Sequence, residues 1–312
     1  MDPLSELLSL LKPQSYVSGG VTIRANMAIQ WPPHIGIKCY AVVSGQCWLS
    51  VEGIAEPVLL TAGDCYLLPP GPAFCLATDP LAKPVDFTVV RDALRRGDEA
   101  NVEDDGGDNC MLAGGHFVLT GRHADMLLGS LPVIVHIKKE ADKAAMRWSI
   151  ERMVAEIRYP QPGGALITQQ LAYMMLVQAL RLHLSDRSKK DSGWLFALVD
   201  KPLCAAISGI HDEPGYPWTL QQLARRAGMS RSTFAQRFKD VIATTPIEYL
   251  TRWRMLLACE KLTSSSDSVY LIATSLGYES ESAFSKAFKR VIGQTPGQHR
   301  RASILNHHGN VV

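Results

Sequence analysis

Residues 277–290 read GYESESAFSKAFKR, and the earlier residues 228–239 read GMSRSTFAQRFK. Each stretch begins with a glycine and continues with two phenylalanines four positions apart, the second followed directly by a lysine. The phenylalanines are Phe234, Phe238, Phe284 and Phe288. Because residues four apart lie on one face of a helix, each stretch predicts a glycine turn followed by a helix that buries its phenylalanines.

The two stretches are halves of a longer internal repeat. A Leu-Ala pair precedes the first glycine and an Ile-Ala pair the second, and a Thr-Pro pair follows each unit. Small alanines let two helices approach closely, so each unit reads as helix, turn, helix. Capping boxes at 219–222 and 245–248 strengthen the helix starts. We therefore predict helix-turn-helix units at 219–241 and 268–291, joined by a connecting helix at 246–262.

The outward faces of the predicted second helices are polar and basic, and these residue types contact base edges and phosphates in duplex DNA. Residues 211–312 hold 13 Lys and Arg against 8 Asp and Glu, whereas the chain as a whole has a net charge of only +2. A basic module with two matched helix-turn-helix units favours DNA binding. The predicted DNA-binding residues are Arg231, Ser232, Thr233, Gln236, Arg237, Lys239, Arg252, Glu281, Ser282, Ser285, Lys286, Lys289 and Arg290.

Composition places the chain among globular proteins. Apolar residues make up 46% of its 312 positions and charged residues 20%, which excludes a disordered or collagen-like chain and predicts about two domains. The N-terminus lacks the pattern of a signal peptide, and no uncharged apolar run approaches the length of a membrane span. Seven scattered cysteines without a CxxC pair favour reduced thiols. We expect a cytoplasmic protein that does not contact membranes.

The N-terminal half predicts strands and then helices. Short apolar runs such as 39–43, 47–51 and 65–68 are separated by Gly and Pro turns, which is typical of an antiparallel sandwich or barrel. Residues 91–109 are predicted to form an exposed loop. Helices are predicted at 141–158 and 166–184, the second of them apolar on more than one face.

The predicted fold class is therefore α+β with three parts. They are an antiparallel β-barrel or sandwich with a sensory role at 1–120, a helical dimerisation and linker region at 121–193, and an all-α DNA-binding domain with two helix-turn-helix units at 194–312.

The C-terminal motifs resemble the signature of AraC/XylS-type transcription regulators. The resemblance covers roughly residues 195–301 and is carried by residues 277–290, the following GQTP and HRR runs, and the YLTRWRM run of the connecting helix. It implies recognition helices at 230–241 and 280–291 in successive major grooves of promoter DNA. The excess of apolar residues on the 166–184 helix, among them Leu171 and Met174, predicts a homodimer that pairs through this helix, and we expect RNA polymerase as a further partner. Readers of base edges in that family correspond here to Ser232, Gln236, Ser282 and Lys286.

Residues 63–74 resemble the second motif of cupin domains, but Phe74 stands where a cupin has a metal-ligating histidine. The first motif is also altered, since His34 and Tyr40 do not form a His-x-His pair. A cupin enzyme needs about three imidazoles or carboxylates on one metal. We therefore expect no catalytic residue, metal or cofactor. A thiolate site made of Cys39, Cys75 and Cys110 with His34 or His116, or redox sensing by these thiols, is the alternative to buried cysteines.

A small organic effector inside the barrel is the favoured interpretation of the N-terminal half. Its candidate contacts are the aromatic and basic residues Trp31, His34, Lys38, Tyr40, Trp48, Tyr66 and Phe74. The sequence thus predicts a sequence-specific DNA-binding regulator controlled by a small molecule. The alternatives are a cupin-type metalloenzyme with a DNA-binding appendage and a regulator that acts without a ligand.

Overall fold

The computed structural model describes residues 2–11, 14–96, 108–119, 124–129, 131–185 and 193–309. These residues divide into two compact units. The β-unit contains residues 14–96, 108–119 and 131–185. The helical unit contains residues 2–11, 124–129 and 193–309.

The β-unit is built on two five-stranded sheets. The strands are β1 (Gln14–Ile23), β2 (Ala28–Trp31), β3 (Ile37–Ser44), β4 (Gln46–Val51), β5 (Val58–Thr61), β6 (Cys65–Leu68), β7 (Phe74–Ala77), β8 (Pro84–Asp86), β9 (Cys110–Val118) and β10 (Val135–Ile137). One sheet has the order β1-β9-β3-β6-β10 and the other β5-β4-β7-β2-β8. Neighbouring strands are antiparallel except for the parallel pair β2 and β8.

The core of the β-unit lies between the sheets. Since side chains alternate along a strand, Tyr40 and Val42 of β3 face the opposite sheet, where Leu49 and Leu76 pack against the same cluster. The cluster also contains the fully buried Cys47 and Cys110. The two sheets therefore enclose one apolar interior.

Three helices belong to the β-unit, namely α2 (Phe87–Arg96), α4 (Glu140–Arg158) and α5 (Gly164–Ser185). Helices α4 and α5 pack against each other and against the sheet that contains β1, β9 and β3. The buried Asp64 fastens α4, because its carboxylate lies 2.9 Å from Lys143 Nζ and accepts a 3.0 Å bond from Thr61 N–H. His136 Nε2 lies 3.0 Å from the same carboxylate.

The helical unit consists of ten helices in the described residues. They are α1 (Pro3–Leu11), α3 (Ala124–Leu128), α6 (Trp194–Ala197), α7 (Lys201–Asp212), α8 (Leu220–Arg226), α9 (Arg231–Ile242), α10 (Pro246–Ser264), α11 (Val269–Ser275), α12 (Glu281–Ile292) and α13 (Pro296–Gly309). Helix α10 runs through the unit and contacts α8, α9, α11, α12 and α13. It buries Tyr249, Trp253 and Met255 among other apolar residues.

The predicted fold class is confirmed, but three segments differ from the sequence-based expectations. The predicted loop at 91–109 is helical up to Arg96, because Asp86 accepts a 2.7 Å bond from Thr88 N–H at the helix start and α2 packs on β2 and β8. Helix α1 falls in the predicted sensory segment 1–120, yet it packs on α7 and α10 of the helical unit. Helices α4 and α5 join the β-unit, so the described part of 121–193 is not a separate body.

A paired substitution tests the close approach of β9 to β3. A Cβ added at Gly114 would lie 2.1 Å from the Cys39 carbonyl oxygen, so Gly114→Ala should lower the free energy of unfolding by several kcal/mol. Its cross-strand partner Gly19 has open space at the same atom, so Gly19→Ala should change it by about 0.5 kcal/mol or less. Urea unfolding measures both. Equal losses would contradict the packing of β9 against β3.

Candidate nucleic-acid interface

The first helix-turn-helix unit consists of α8 and α9. Thr219 and Gln222 form a capping box at the start of α8, and Ser230 caps α9 by accepting a bond from Thr233 N–H. Gly228 between them has a φ of +65°, the left-handed conformation that glycine adopts without strain. Phe234 and Phe238 are fully buried, so the opposite face of α9 meets solvent.

The second unit, α11 and α12, repeats this construction. Ser268 and Ser280 cap the two helices, and Phe284 and Phe288 are fully buried against α10 and α11. Gly277 in the turn has a φ of +77°, and a Cβ there would lie 2.3 Å from the Gly215 carbonyl oxygen. Only glycine fits this position without a shift of the backbone.

A single helix links the two units. Helix α10 has 19 residues, begins with Pro246 after the cap Thr245, and at about 1.5 Å per residue spans roughly 28 Å. This length suits two recognition helices set about one turn of DNA, ~34 Å, apart. The observed bounds of the helices lie within two residues of those predicted for the repeat.

The predicted DNA-binding residues lie on the outer faces of α9, α10 and α12. All are exposed except Ser285, which is half-buried. Gln236 donates a 2.7 Å bond to Asp240, and Arg252 donates a 2.7 Å bond to Glu248. Within the described chain, no hydrogen bond or ion pair engages five exposed cations. These cations are Arg231, Lys239, Lys286, Lys289 and Arg290.

Other arginines of the helical unit hold the fold together. Arg237, a predicted DNA contact, bonds the carboxylate of Asp200, which caps α7. Arg254 donates to the carbonyl oxygens of Pro214 and Tyr216 at 2.7 and 2.9 Å, and Arg300 donates to that of Leu262 at 3.2 Å. Sequence spacing gave no signal for these roles, because the bonded carbonyls lie 38 to 40 residues away along the chain.

A buried polar chain attaches α1 to α7 and α10. His211 lies 2.8 Å from the Glu6 carboxylate through Nδ1 and 2.7 Å from the Tyr249 hydroxyl through Nε2, and its ring stacks on Trp253 at 3.5 Å. The Tyr249 hydroxyl also accepts a 2.8 Å bond from Trp194 Nε1. Because an ionised carboxylate only accepts, Nδ1 of a neutral His211 donates to Glu6, and Nε2 accepts from the Tyr249 hydroxyl. Burial lowers the pKa of His211 to about 3.

The predicted effector residues of the β-unit separate into two groups. Trp31, Tyr66 and Phe74 are buried in the core between the sheets, where Tyr40 also packs. Lys38 reaches the same interior, since its Nζ lies 5.6 Å from the centre of the Phe74 ring, and His34 contacts Phe74 edge-on at 5.6 Å. Trp48 is the exception. Its neighbours Cys47 and Leu49 point inward, so alternation places Trp48 on the outer face of its sheet.

The proposed thiolate site is not assembled. Cys39 is hydrogen-bonded to Cys65, and Cys47 to Cys110, and these bonds together with burial raise the pKa values of Cys39 and Cys47 far above the ordinary value of a thiol. Among the described residues, no three His, Cys, Asp or Glu side chains form a group that could hold a metal ion. The buried Phe74 in the aromatic core does not fit a cupin metal centre.

A surface groove of about 380 Å³ lies beside α4 in the β-unit. Its walls include Val42 and Gly63 on the strand side and Lys143, Arg147 and Ile150 on α4. The predicted effector residues do not line it.

In the described part of the chain, no helix has the length and apolar character needed to cross a membrane.

Comparison with known proteins agrees with this architecture. The cupin family model matches residues 2–185 and the helix-turn-helix domain model matches residues 223–302. The chain is 40% identical to a putative AraC-like transcription regulator of Streptomyces lividans, over 96% of this chain and 98% of that protein. The chain belongs to the AraC-like transcription regulators. Its N-terminal domain is of the cupin type and its C-terminal domain is a helix-turn-helix DNA-binding domain.

Other AraC-like proteins match over similar lengths. A putative AraC-like transcription regulator of Streptomyces antibioticus is 38% identical over 96% of this chain and 99% of its own length. The AlkR regulator of Acinetobacter baylyi is 31% identical over 78% of this chain and 80% of its own. Among solved structures, the DNA-binding domain of AdpA in complex with a target DNA matches 34% of this chain and 96% of its own, at 30% identity and a TM-score of 0.33.

The buried hydrogen bonds of His211 make the stability of this AraC-like regulator depend on pH. Because the pKa of His211 is about 3 in the folded state and about 6.5 when unfolded, the unfolded chain binds the extra proton. The stabilisation is complete above pH 6.5 and is lost as the pH falls. Between pH 7 and 5.5 the free energy of unfolding should fall by about 1 kcal/mol.

In His211→Phe, which keeps the ring stacked on Trp253, this part of the pH dependence should disappear. Urea unfolding at pH 7, 6.5, 6 and 5.5 compares the two proteins. The range stops at pH 5.5 because burial raises the pKa of Glu6, a shift with the opposite effect on stability. Parallel pH profiles for the wild type and the variant would contradict a buried neutral His211.

Proposed function

We propose that the chain regulates transcription by sequence-specific binding of α9 and α12 in successive major grooves of promoter DNA. The observation that carries this proposal is the pair of like helix-turn-helix units, each with a buried phenylalanine face and a polar outer face, joined by α10. An effector bound in the β-unit controls the DNA-binding form. RNA polymerase is the further partner through which a bound regulator of this family acts.

Two residues of α12 have different roles in DNA binding. Lys286 lies two positions before Phe288, on the exposed face, where a long cation reaches a guanine edge. Arg290 is a turn nearer the C-terminal end of α12, where the helix leaves the groove and the phosphate backbone is closer. Lys286 therefore reads sequence and Arg290 supplies affinity.

Substituting each of these residues by alanine tests this division on an operator selected from random duplexes. Lys286→Ala should cost about 1–3 kcal/mol on the selected site and relax the preference at one base pair. Arg290→Ala should weaken binding to all sequences alike and reduce the slope of log affinity against log salt by about one unit. Anisotropy titrations at several salt concentrations, with single-base variants of the operator, provide the measurement. Uniform loss for Lys286→Ala with altered preference for Arg290→Ala would reverse the assignment.

We further propose that the chain dimerises through α4 and α5. Large apolar side chains on these helices remain exposed, with Trp148 at 64% and Met174 at 40% of their full area. The other exposed apolar side chains are Leu166 and Ile167 on α5 and Tyr159, directly after α4. Leu171, predicted from the sequence to share this interface with Met174, is only 5% exposed and packs within the β-unit. A second copy of the chain covers the exposed set.

Charge substitutions on these helices distinguish an interface from the core. Trp148→Glu with Met174→Glu should give a folded monomer, because both side chains face solvent in one copy. Leu171→Glu should instead destabilise the β-unit by several kcal/mol, since it buries an unpaired charge. Sedimentation velocity at micromolar concentration, with circular dichroism as the control for folding, separates these outcomes. A wild-type monomer with and without DNA would exclude the dimer.

The residues at the cupin motif argue against an enzymatic role for the β-unit. Phe74 packs between Trp31 and His34 at the position where the cupin motif has a metal ligand. We infer that this domain binds its ligand without turning it over. A purified protein that converts a bound small molecule would overturn that inference.

A further inference from the structure

We propose that the interior of the cupin-type domain binds a small organic carboxylate, with Lys38 as its ionic partner. The inference rests on the proposed function, because it names the chemical class of the effector held by the β-unit. The region concerned is the Lys38 site, defined by Lys38, His34, His116 and Phe74.

The Lys38 site gathers basic groups from three separate segments. Lys38 points inward from β3 and His116 is its cross-strand partner on β9. His34, between β2 and β3, has its ring centre 6.3 Å from that of His116. On the opposite sheet, Phe74 presents its ring to Lys38 Nζ at 5.6 Å. A ligand at Lys38 therefore meets both sheets of the β-unit.

The charge of Lys38 is not balanced within the part of the chain that the structure describes. No acidic side chain of the described residues forms an ion pair with it, whereas Lys143 in the same unit is held by both Asp64 and Glu140. Burial alone lowers the pKa of Lys38 to about 8, so its ammonium group is still largely protonated at pH 7. A cation that is partly buried without a counter-ion is costly, and an anion that supplies one recovers that cost.

The groups around Lys38 do not themselves supply an anion. Burial lowers the pKa of His116 to about 4 and also lowers that of His34, so both imidazoles are neutral near pH 7. Burial raises the pKa of Tyr40 to about 12 and holds that of Tyr66 well above the ordinary value of a phenol, so both phenols keep their protons. The site thus presents one positive charge among neutral groups.

A carboxylate matches the hydrogen-bonding groups as well as the charge. One of its oxygens pairs with the ammonium group of Lys38. His116 Nε2 is buried without a hydrogen-bond partner in the described chain, and it donates to the second oxygen when it carries the ring proton. The carbon skeleton packs on the stacked rings of Trp31, Phe74 and Phe87, whose neighbouring centres lie 5.0 Å apart.

Binding of matched probes to the full-length chain tests the proposal. The probes are benzoate and octanoate, each compared with its uncharged amide, benzamide and octanamide, by thermal shift and calorimetry at pH 7. At least one carboxylate should raise the melting temperature, and its amide should not. Lys38→Met should weaken carboxylate binding at least tenfold. Lys83→Met, which removes an exposed lysine of the same unit, should leave it unchanged.

A second measurement uses the wild type alone. Since the carboxylate stays ionised while free Lys38 loses its proton above a pKa of about 8, affinity should fall up to tenfold per pH unit above that value. This profile keeps the proposal testable if Lys38→Met does not fold. A flat profile from pH 7 to 10 would overturn it.

Three other results would also overturn the proposal. They are no binding of either carboxylate, equal binding of the amides, and undiminished binding by Lys38→Met. DNA affinity without any probe is measured on the same wild-type and Lys38→Met samples. If both bind DNA while carboxylate binding fails, only the ligand class is wrong, whereas loss of DNA binding by the wild type would instead refute the proposed function.

Discussion

The outer faces of α9 and α12 depend on one constraint. Each helix buries a pair of phenylalanines in the core of the helical unit. Each fully buried phenylalanine contributes about 1.5–3 kcal/mol, and the pairs fix the rotation of α9 and α12 about their own axes. Once that rotation is set, Gln236 and Arg237 between the first pair and Lys286 between the second face solvent. The polar recognition faces are thus a consequence of apolar packing, with the glycine turns and serine caps fixing where each helix starts.

The helical unit could be predicted from sequence because its signals are local. Phenylalanines four apart, capping boxes and turn glycines all act within a few residues, and they predict helix bounds that the structure reproduces closely. Helix α1 could not be placed in this way. Its contact with α7 and α10 includes the meeting of Glu6 with His211, 205 residues away, and no local periodicity in the sequence indicates such a pairing.

The β-unit shows the same limit within single strands. The aromatic content of β2, β4 and β7 indicated an apolar interior, and Trp31 and Phe74 lie there. Trp48 is also aromatic, but it alternates with the buried Cys47 and Leu49 and therefore lies on the other face of its strand. Composition therefore predicted which residue types meet in the core, while strand register decided which of the individual residues do.

Net charge overstates the number of cations available to DNA. Several arginines of the helical unit are bound to the protein itself: Arg254 and Arg300 donate to backbone carbonyls, and Arg237 bonds Asp200. The planar guanidinium group suits this role because it satisfies several acceptors at once. Five exposed cations without such partners in the described chain lie on α9 and α12. A polyanion is attracted where charge is unpaired, and these five cations place such charge on the outer faces of α9 and α12.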